Sequence, residues 1–333
     1  MPTQKALVLA EEFGQFVVVD NWPMPPTPGP GQVLIKVKAT ALNPVDWKMR
    51  QSGLLVQEYP IVSGWDFSGD VEVVGEGVEG LGKGDRVVAL GFPPTGFSGF
   101  QQYTLMPADL VCKIPDSLDY AEAASIPLGY ASAAIGLLAA SPTGAGIDPT
   151  CALDGVSFAG QPAFVFGGSS SVGQFAIQML RTLSFSPIIT YASSKHTEFL
   201  KSLGATHVIA RSAVRSADVP AAVRKLAGGA PFKIAYDAIS EGGTVVAILA
   251  PVKDRGDVDG KKLIYIVASP HIHREFGVRM VKLLAKQLEE GVIQPNRIEK
   301  LSGGLAGIVD GLARMENNAV SGVKLVVFPQ ETA

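Results

Sequence analysis

The sequence is poor in the residues that stabilise small secreted domains and in those that bind polyanions. Its 333 residues include only two cysteines, Cys112 and Cys151, too few for a disulfide framework or a four-cysteine zinc site. Charged residues make up 18% of the chain, and a formal net charge of -3 provides no basic surface for nucleic acid. We therefore expect a protein of a reducing compartment, the cytoplasm, that does not bind nucleic acid.

The sequence also lacks a membrane segment of the usual kind. The run 5–10, which is apolar after Lys5, meets Glu11 and Glu12 before it is long enough for a signal peptide. Residues 123–147 carry no charged side chain and are long enough to cross a bilayer, but several prolines and glycines interrupt them. We expect this segment to form a buried helix between domains, and we expect no contact with a membrane.

What the sequence does contain is apolar surface for two domains, since 47% of its residues are hydrophobic. Residues 1–125 hold short β-branched runs between Pro/Gly clusters, which is typical of a small antiparallel barrel. Strands and helices then alternate, which predicts an α/β fold with a doubly wound parallel sheet. Its predicted strands are 163–166, 187–191, 206–209, 234–237, 244–249 and 262–267. The last strand, 324–328, is expected to rejoin the barrel. The predicted units are therefore 1–125 plus 296–333, and 126–295.

One stretch changes its hydrophobic period within a few residues of a glycine pair. Residues 163–166 are apolar like a buried strand, and apolar residues recur at helical spacing in 172–180. The turn between them reads Gly167-Gly168-Ser169-Ser170-Ser171. Free N–H groups at the start of such a helix can bind a pyrophosphate. Ser170 replaces the middle glycine of the G-x-G-x-x-G pattern, so an ordinary tight turn remains an equal alternative for this motif alone.

Several separate motifs together resemble the medium-chain dehydrogenase/reductase superfamily over essentially the whole chain. They are Gly29-Pro-Gly-Gln-Val-Leu-Ile-Lys-Val37, Asn43-Pro-Val-Asp46, Gly64-Trp-Asp-Phe-Ser-Gly69, Gly84-Asp-Arg-Val87, Ala123-Ala-Ser-Ile-Pro127, Leu203-Gly-Ala205 and Val320-Ser-Gly-Val-Lys-Leu-Val326. The resemblance implies that the first unit is a GroES-like barrel and that the second is a Rossmann domain. Within the superfamily, the chain resembles quinone oxidoreductases and, more closely, the fungal trans-acting polyketide enoyl reductases of the lovastatin type. The motifs that carry this likeness are Asn43-Pro-Val-Asp-Trp-Lys-Met-Arg50, Gly167-Gly168-Ser169 and Tyr236-Asp-Ala-Ile-Ser240.

The resemblance also bears on metal binding. Zinc alcohol dehydrogenases of this superfamily have a cysteine at the position of Asn43 and Gly-His-Glu at the position of 64–66, where this chain has Gly-Trp-Asp. Without thiolate and imidazole ligands we expect no catalytic zinc. Asp66 is instead expected to brace the turn before Phe67. His271 and His273 share a strand face but have no evident third ligand, so we expect no metal there either.

The resemblance implies two catalytic side chains. Lys48 is expected to contact the nicotinamide ribose and to polarise the substrate or relay a proton; the alternative is an ordinary surface lysine. Ser132 matches a threonine of the polyketide reductases and keeps its hydroxyl donor. It precedes a segment, 133–140, that resembles their acyl-binding wall. The alternative for Ser132 is a small residue that packs a buried helix.

The choice of cofactor depends on the loop after the second strand of the sheet. No carboxylate occurs there before Glu198, so nothing is placed to bind the 2′-hydroxyl of NAD. Ser193, Ser194, Lys195 and His196 can donate to a 2′-phosphate instead, although a polar helix cap would look the same. Arg211 stands near the position of a phosphate-binding tyrosine in family members. We therefore expect NADPH. The other cofactor contacts implied by the resemblance are Val45, Lys48, Gly168, Ser169, Ser170, Ser171, Val172, Ile248, Leu249 and Ser321.

The expected function is NADPH-dependent reduction of an activated C=C bond, in an α,β-unsaturated thioester on the carrier of a polyketide synthase. Within redox chemistry, the alternatives are reduction of a quinone or of a small enone. Outside it, the alternatives are an NADPH-binding protein without hydride chemistry and a cyclase built on the same scaffold. The edge 262–267 could pair two copies, so both a monomer and a homodimer remain open.

Overall fold

The computed structural model describes residues 2–239, 245–248 and 262–333, with the backbone alone at 245–248 and 262–263. The strands are β1 Thr3–Leu9, β2 Phe16–Pro23, β3 Gln32–Ala41, β4 Ile61–Val62, β5 Asp66–Val74, β6 Arg86–Leu90, β7 Tyr103–Pro107, β8 Val111–Lys113, β9 Ala163–Phe166, β10 Ile188–Ala192, β11 His207–Ala210, β12 Ile234–Asp237, β13 Val245–Ile248, β14 Lys262–Tyr265, β15 Ile298–Lys300 and β16 Lys324–Val327. The helices are α1 Pro44–Ser52, α2 Tyr120–Ala124, α3 Pro127–Leu138, α4 Ser171–Thr182, α5 Thr197–Leu203, α6 Val219–Leu226, α7 Arg274–Glu289 and α8 Gly307–Glu316.

The first unit is built from β-strands, as the β-branched runs predict. Its larger sheet has the order β15-β16-β3-β5-β6-β8, with β7 also paired to β3, and a smaller sheet has the order β2-β1-β4. Ile35, Val37 and Phe67 of the central strands are fully buried. The last strand runs antiparallel to β3, with Val326 opposite Ala41. The prediction that the end of the chain rejoins the first unit is therefore confirmed.

The second unit has a six-stranded sheet in the order β11-β10-β9-β12-β13-β14. Strands β9, β10, β11 and β12 run parallel to one another, as in a Rossmann domain. Helix α4 covers this sheet with an apolar face, and its side chains Phe175, Ala176, Met179 and Leu180 have no exposed surface. The change of hydrophobic period at the glycine turn thus marks a real strand followed by a helix.

The pairing of β13 and β14 differs from the all-parallel sheet expected from the sequence. Strand β13 is antiparallel to β12, and β14 is antiparallel to β13. Only residues 238–244 lie between β12 and β13. A parallel crossover needs roughly ten to twelve residues or more, so the chain can only turn back beside the strand it has just left. The short spacing in the sequence was the signal for this reversal.

Helix α3 explains the long uncharged segment. It is apolar all round because it packs against α4 on one side and against β5 and β6 on another. Tyr130, Ala131, Ile135 and Leu138 are fully buried. In the part of the chain that the structure describes, no helix combines the length and hydropathy needed to cross a bilayer. Because α3 contacts both units, the boundary at 125/126 stays a prediction.

Candidate active site

The glycine turn between β9 and α4 has the close packing of a phosphate-binding turn. A Cβ atom on Gly168 would lie 2.0 Å from Thr190 Oγ1, and one on Gly173 would lie 2.3 Å from the carbonyl oxygen of Gly167. Gly167 itself has a φ of 80°, which glycine adopts without strain. Both close approaches therefore require glycine, and they let the start of the helix lie directly against the end of the strand. The residues present at this turn fit a dinucleotide.

The three serines of the turn make different hydrogen bonds. Ser170 is the N-cap of α4, and its Oγ accepts a hydrogen bond from the Gly173 amide at 3.0 Å. Ser171 Oγ donates to Asn296 Oδ1 at 2.5 Å, and the carbonyl of Ser169 accepts from Gln174 Nε2 at 3.0 Å. The serine in place of the middle glycine is thus explained by capping. The N–H groups of Ser171 and Val172, in the first turn of the helix, are the ones without intrahelical acceptors.

The loop after β10 brings together several of the predicted phosphate-binding residues. Ser194 and Lys195 are exposed, and Ser193 is half-buried. Strand β11 pairs in parallel with β10, and the Arg211 amide donates to the Ala192 carbonyl at 3.0 Å. Arg211 therefore emerges beside Ser193, at the carboxyl edge of the sheet where dinucleotides bind. Its side chain is exposed.

His196 has a different environment from the one expected. Its ring is 4% exposed, its Nδ1 lies 2.8 Å from Arg297 Nη2, and its Nε2 lies 3.2 Å from Ser321 Oγ. Burial lowers the pKa of the imidazole, and the nearby cations Arg297, Lys195 and Arg211 lower it further. Both ring nitrogens have protein partners, so the prediction that this ring donates directly to a phosphate has no support in the geometry.

Helix α1 carries Lys48 and is fixed at its start. Asn43 is its N-cap and Pro44 its first residue, a position where the missing N–H of proline costs nothing. Lys48 is half-buried, with Nζ 5.6 Å from the centre of the Trp47 ring, and Val45 is half-buried in the first turn. The ammonium group is thus partly accessible, and its role beside a nicotinamide stays a prediction.

Ser132 lies in the middle of α3 and is 5% exposed. Its Oγ donates to the Leu128 carbonyl at 2.8 Å, and its own carbonyl accepts from the Tyr236 hydroxyl at 2.7 Å. Residues 133–139 of the predicted acyl wall are also buried, whereas its last residue, Ala140, is exposed. The hydroxyl therefore has a helical acceptor, and a substrate would have to compete for its proton.

A buried polar cluster joins Asn43 and Asp66, which stand in the motifs that hold zinc in zinc members of the family, to Lys324 of the last strand. The sequence motifs did not predict this cluster. Lys324 Nζ lies 2.9 Å from Asp66 Oδ2 and 2.5 Å from Asn43 Oδ1. Asn43 Nδ2 donates to Asp66 Oδ2 at 2.9 Å, and Asp66 Oδ1 accepts from the Leu128 amide at 2.7 Å. Asp66 thus binds a lysine and the start of α3, which corrects the expectation that it braces the turn before Phe67. Its oxygens are already occupied, and Asn43 offers no thiolate.

Asp46 forms the second half of this cluster. Its Oδ1 accepts from Ser63 Oγ at 2.6 Å and from the Gly64 amide at 3.1 Å, and its Oδ2 accepts from the Asn43 amide at 2.8 Å. Burial raises its pKa to about 7, although these hydrogen bonds act in the opposite direction. Asp46 therefore ties the helix that carries Lys48 to the segment between β4 and β5.

His271 and His273 do not act as a pair. His271 Nε2 lies 2.9 Å from the Leu90 carbonyl oxygen, and its ring stacks against Phe92 and Phe97 with centroid distances of 5.6 Å. Across residues 2–239, 245–248 and 262–333, no three side chains of the types that bind metals come together. His271 instead packs against the end of β6 in the first unit.

Three predicted cofactor contacts remain, and the structure describes the side chain of one of them, Ser321. Leu249 lies outside the described residues, as does the side chain of Ile248. Ser321 is exposed, and its hydroxyl contacts His196. Strand β14 forms one edge of the six-stranded sheet, at the position where pairing of two copies was considered.

Comparisons with known proteins agree with this architecture. Residues 29–116 match the model of the alcohol dehydrogenase GroES-like domain, and residues 171–259 match that of the zinc-binding dehydrogenase family. A trans-enoyl reductase of Aspergillus sclerotiorum is 31% identical, with 96% of this chain and 98% of the relative aligned. Another from Aspergillus flavipes is 33% identical over 91% of this chain and 92% of its own.

A solved structure of similar fold is a mycobacterial quinone oxidoreductase, 25% identical with a TM-score of 0.70, covering 98% of this chain and 100% of the other. The GroES-like and dehydrogenase matches fall on the two units described above, and the full-length relatives are reductases. The chain therefore belongs to the medium-chain dehydrogenase/reductase superfamily of oxidoreductases, together with the fungal trans-enoyl reductases.

Proposed function

We propose that this protein uses NADPH to reduce an activated C=C bond in an α,β-unsaturated thioester presented by a polyketide synthase in the cytoplasm. The observation that carries the proposal is the loop after β10. Ser193, Ser194, Lys195 and Arg211 gather at the cofactor edge of the sheet, where no carboxylate precedes Glu198 to accept a ribose 2′-hydroxyl. The similarity to trans-enoyl reductases supports the thioester and the synthase.

The chain's own residues would bind and orient the reactants. The amides of Ser171 and Val172 bind the pyrophosphate, and the loop after β10 holds the 2′-phosphate. When bound, the dinucleotide would supply the hydride for the β-carbon of the thioester, and the α-carbon would take its proton from water or through Lys48. Lys48, on the anchored helix α1, stabilises negative charge that develops on the thioester oxygen. Ser132 adds a second donor when its hydroxyl turns away from the Leu128 carbonyl.

Without a zinc ion, polarisation of the substrate must come from side chains. The positions that carry a cysteine and a histidine in zinc members hold Asn43 and Trp65 here, and Asp66 is paired with Lys324. This donor set is a poor fit for zinc, which prefers thiolate and imidazole. The proposed reaction therefore needs no added metal and should survive treatment with a chelator.

The test is turnover by the purified protein with NADPH and a crotonyl thioester of pantetheine, followed by loss of NADPH absorbance and by detection of the saturated product. We expect reduction of the thioester, and slower reduction when NADH replaces NADPH. A simple quinone is the comparison substrate, because a quinone oxidoreductase shares the fold. Faster turnover of the quinone than of the thioester would favour that second activity. Tight binding of NADPH without turnover of either would reject both.

Lys48→Met tests the residue assigned to charge stabilisation. The methionine keeps the apolar length of the side chain but removes the ammonium, so kcat should fall by roughly tenfold to a hundredfold or more. Affinity for NADPH should fall much less, because the phosphates bind elsewhere. Lys83→Met, which changes a lysine with 77% of its side chain exposed, is the matched control. An unchanged kcat in Lys48→Met would remove Lys48 from the mechanism.

A further inference from the structure

Arg297 reaches from the C-terminal segment onto the loop that follows β10. It precedes β15 of the first unit, whereas His196 and Phe199 belong to the second. Its Nη2 donates to His196 Nδ1 at 2.8 Å, and its guanidinium carbon lies 4.0 Å from the centre of the Phe199 ring. The hydrogen bond and the stacking both cross between the two units, at the phosphate end of the cofactor cleft.

His196 is held firmly enough to fix this arginine. Because Nδ1 accepts from Arg297, a neutral ring carries its proton on Nε2, which donates to Ser321 Oγ at 3.2 Å. A Cβ atom on Gly322 would lie 2.4 Å from the ring, so the backbone packs directly against it. The ring is 4% exposed. The imidazole therefore acts as a rigid support for the guanidinium.

Among the described residues, the positive side chains around His196 are not matched by negative ones. Arg297, Lys195 and Arg211 all lie near enough to His196 to lower its pKa, and no acidic side chain of the described ranges acts on this pKa in the opposite direction. Glu198, the acidic residue nearest to His196 in sequence, forms an ion pair with Lys201 at 3.1 Å, and Glu299, the one nearest to Arg297, pairs with Arg314 at 2.7 Å. Among the described residues Arg297 has no carboxylate partner, and its side chain is exposed. Three cations from three segments thus converge where an anionic group would relieve their repulsion.

Arginine suits this task because of its shape. Its planar guanidinium has five N–H donors, and one nitrogen serves His196 while others remain for a second acceptor. Stacking on Phe199 leaves the edge of the plane open. A phosphate with a double negative charge matches such an edge.

We propose that Arg297 completes the 2′-phosphate site from the other structural unit, with His196 as its positioning residue, so that NADPH fastens the two units together and NADH does not. This inference rests on the proposed use of NADPH. It assigns His196 a task in cofactor selection different from direct donation. It also gives the C-terminal segment, in which Ser321 is a predicted cofactor contact, a part in the choice between NADPH and NADH.

The first experiment measures the dissociation constants of NADPH and NADH for the full chain and for Arg297→Gln by fluorescence titration. We expect NADPH to bind roughly tenfold to a hundredfold more weakly to Arg297→Gln, because a charge-assisted contact is lost. NADH should change by no more than about twofold. Arg224→Gln, which removes an exposed arginine of α6, is the matched control and should leave both constants unchanged. Equal weakening of both cofactors, or of neither, would overturn the proposal.

Two substitutions of His196 test its role as a support. His196→Asn keeps an acceptor near the position of Nδ1 for Arg297, whereas His196→Gln keeps a polar group near Nε2 for Ser321. We expect the glutamine variant to lose more NADPH affinity than the asparagine variant, and neither to lose affinity for NADH. Retained NADH binding also reports that each variant is folded. If His196→Gln weakens NADPH equally with and without Arg297, then His196 acts independently and its positioning role is rejected.

The titration that tests Arg297 and the turnover assay that tests the proposed reaction can fail independently of each other. A wild-type protein that binds NADPH in preference to NADH, but reduces neither thioester nor quinone, would reject the proposed reaction while the Arg297→Gln titration still decides the site. A wild-type protein that prefers NADH would overturn the assignment of Arg297 directly.

Discussion

The two ends of the proposed cofactor cleft differ in how their charged side chains are placed: they are exposed at one end, and buried and paired at the other. At the phosphate end, Lys195, Arg211 and Arg297 are exposed and gather without an opposing carboxylate among the described residues. At the catalytic end, Lys324 and Asp66 are 4% and 0% exposed and satisfy each other. Exposed cations lose little when no ligand is bound, whereas buried charges must be paired at all times. The exposed cations thus fit the proposed phosphate site, whereas the buried pair fixes β5 and the last strand against each other.

The largest expected effect comes from breaking the buried pair. Lys324→Met would leave the Asp66 carboxylate buried without a cation, which should lower the free energy of unfolding by about 3–5 kcal/mol. Adding Asp66→Asn should recover much of this loss, because an amide oxygen still accepts from the Leu128 amide. Urea denaturation measures both.

The exposed pair Lys300–Asp119 is the matched control, since it also joins a lysine of the C-terminal segment to an aspartate, with half of each side chain exposed. Lys300→Met should cost less than about 1 kcal/mol. Equal losses for Lys300→Met and Lys324→Met would contradict the contrast between the two ends.

The second effect concerns Asp46 and the dependence of stability on pH. The pKa of Asp46 is raised from 3.8 to about 7 in the folded protein. Between pH 3.8 and pH 7, folding is therefore accompanied by the uptake of a proton at this carboxyl group. The stability from this group is complete below pH 3.8 and is lost as the pH rises through 7, a change of up to about 4 kcal/mol. In Asp46→Asn this decline should disappear. The difference between wild-type and variant melting curves at pH 5 and pH 8 is the measurement. The lowered pKa values of His196 and His271 change stability with pH in the opposite direction to Asp46. Because both histidines are present in the wild type and in Asp46→Asn, their contributions cancel when the two proteins are compared.

The third effect tests the packing of the phosphate-binding turn. In Gly173→Ala the added methyl group would lie 2.3 Å from the Gly167 carbonyl oxygen, so the start of α4 must move away from β9. We expect a loss of about 1–3 kcal/mol in stability and weaker binding of both NADPH and NADH. Gly82→Ala, where nothing lies within 4 Å of the new atom, should change neither. Loss of NADPH alone would show that the turn does not bind the pyrophosphate common to both cofactors.

The smallest effect is expected at Ser132. Ser132→Ala removes the hydrogen bond to the Leu128 carbonyl and should cost about 1 kcal/mol in stability. If the hydroxyl also serves the thioester, kcat should fall while NADPH affinity stays constant. A stability change without a change in kcat would assign this side chain to helix α3 alone.

Patterns within short stretches of sequence were enough to predict structures that form between residues close together in the chain. The apolar strand, the glycine pair and the helical spacing that follows predicted the β9–α4 turn, since each acts within a few residues. The loop after β10 was predicted for the same reason. Asp66 was recognised as a structural residue, but its partners were wrong because Lys324 and Leu128 are distant in sequence.

The sequence by itself determined the two-unit architecture, the glycine turn and the basic loop, because hydrophobic period and turn chemistry are local properties. Only the tertiary structure brought Arg297 onto His196 and Lys324 onto Asp66, and it also buried the carboxyl group of Asp46. These contacts join segments that are far apart in the chain, and their energies depend on burial and on distances that composition and spacing do not contain. The reversal at β13 lies between these cases, since its cause, a connection too short for a crossover, is written in the sequence.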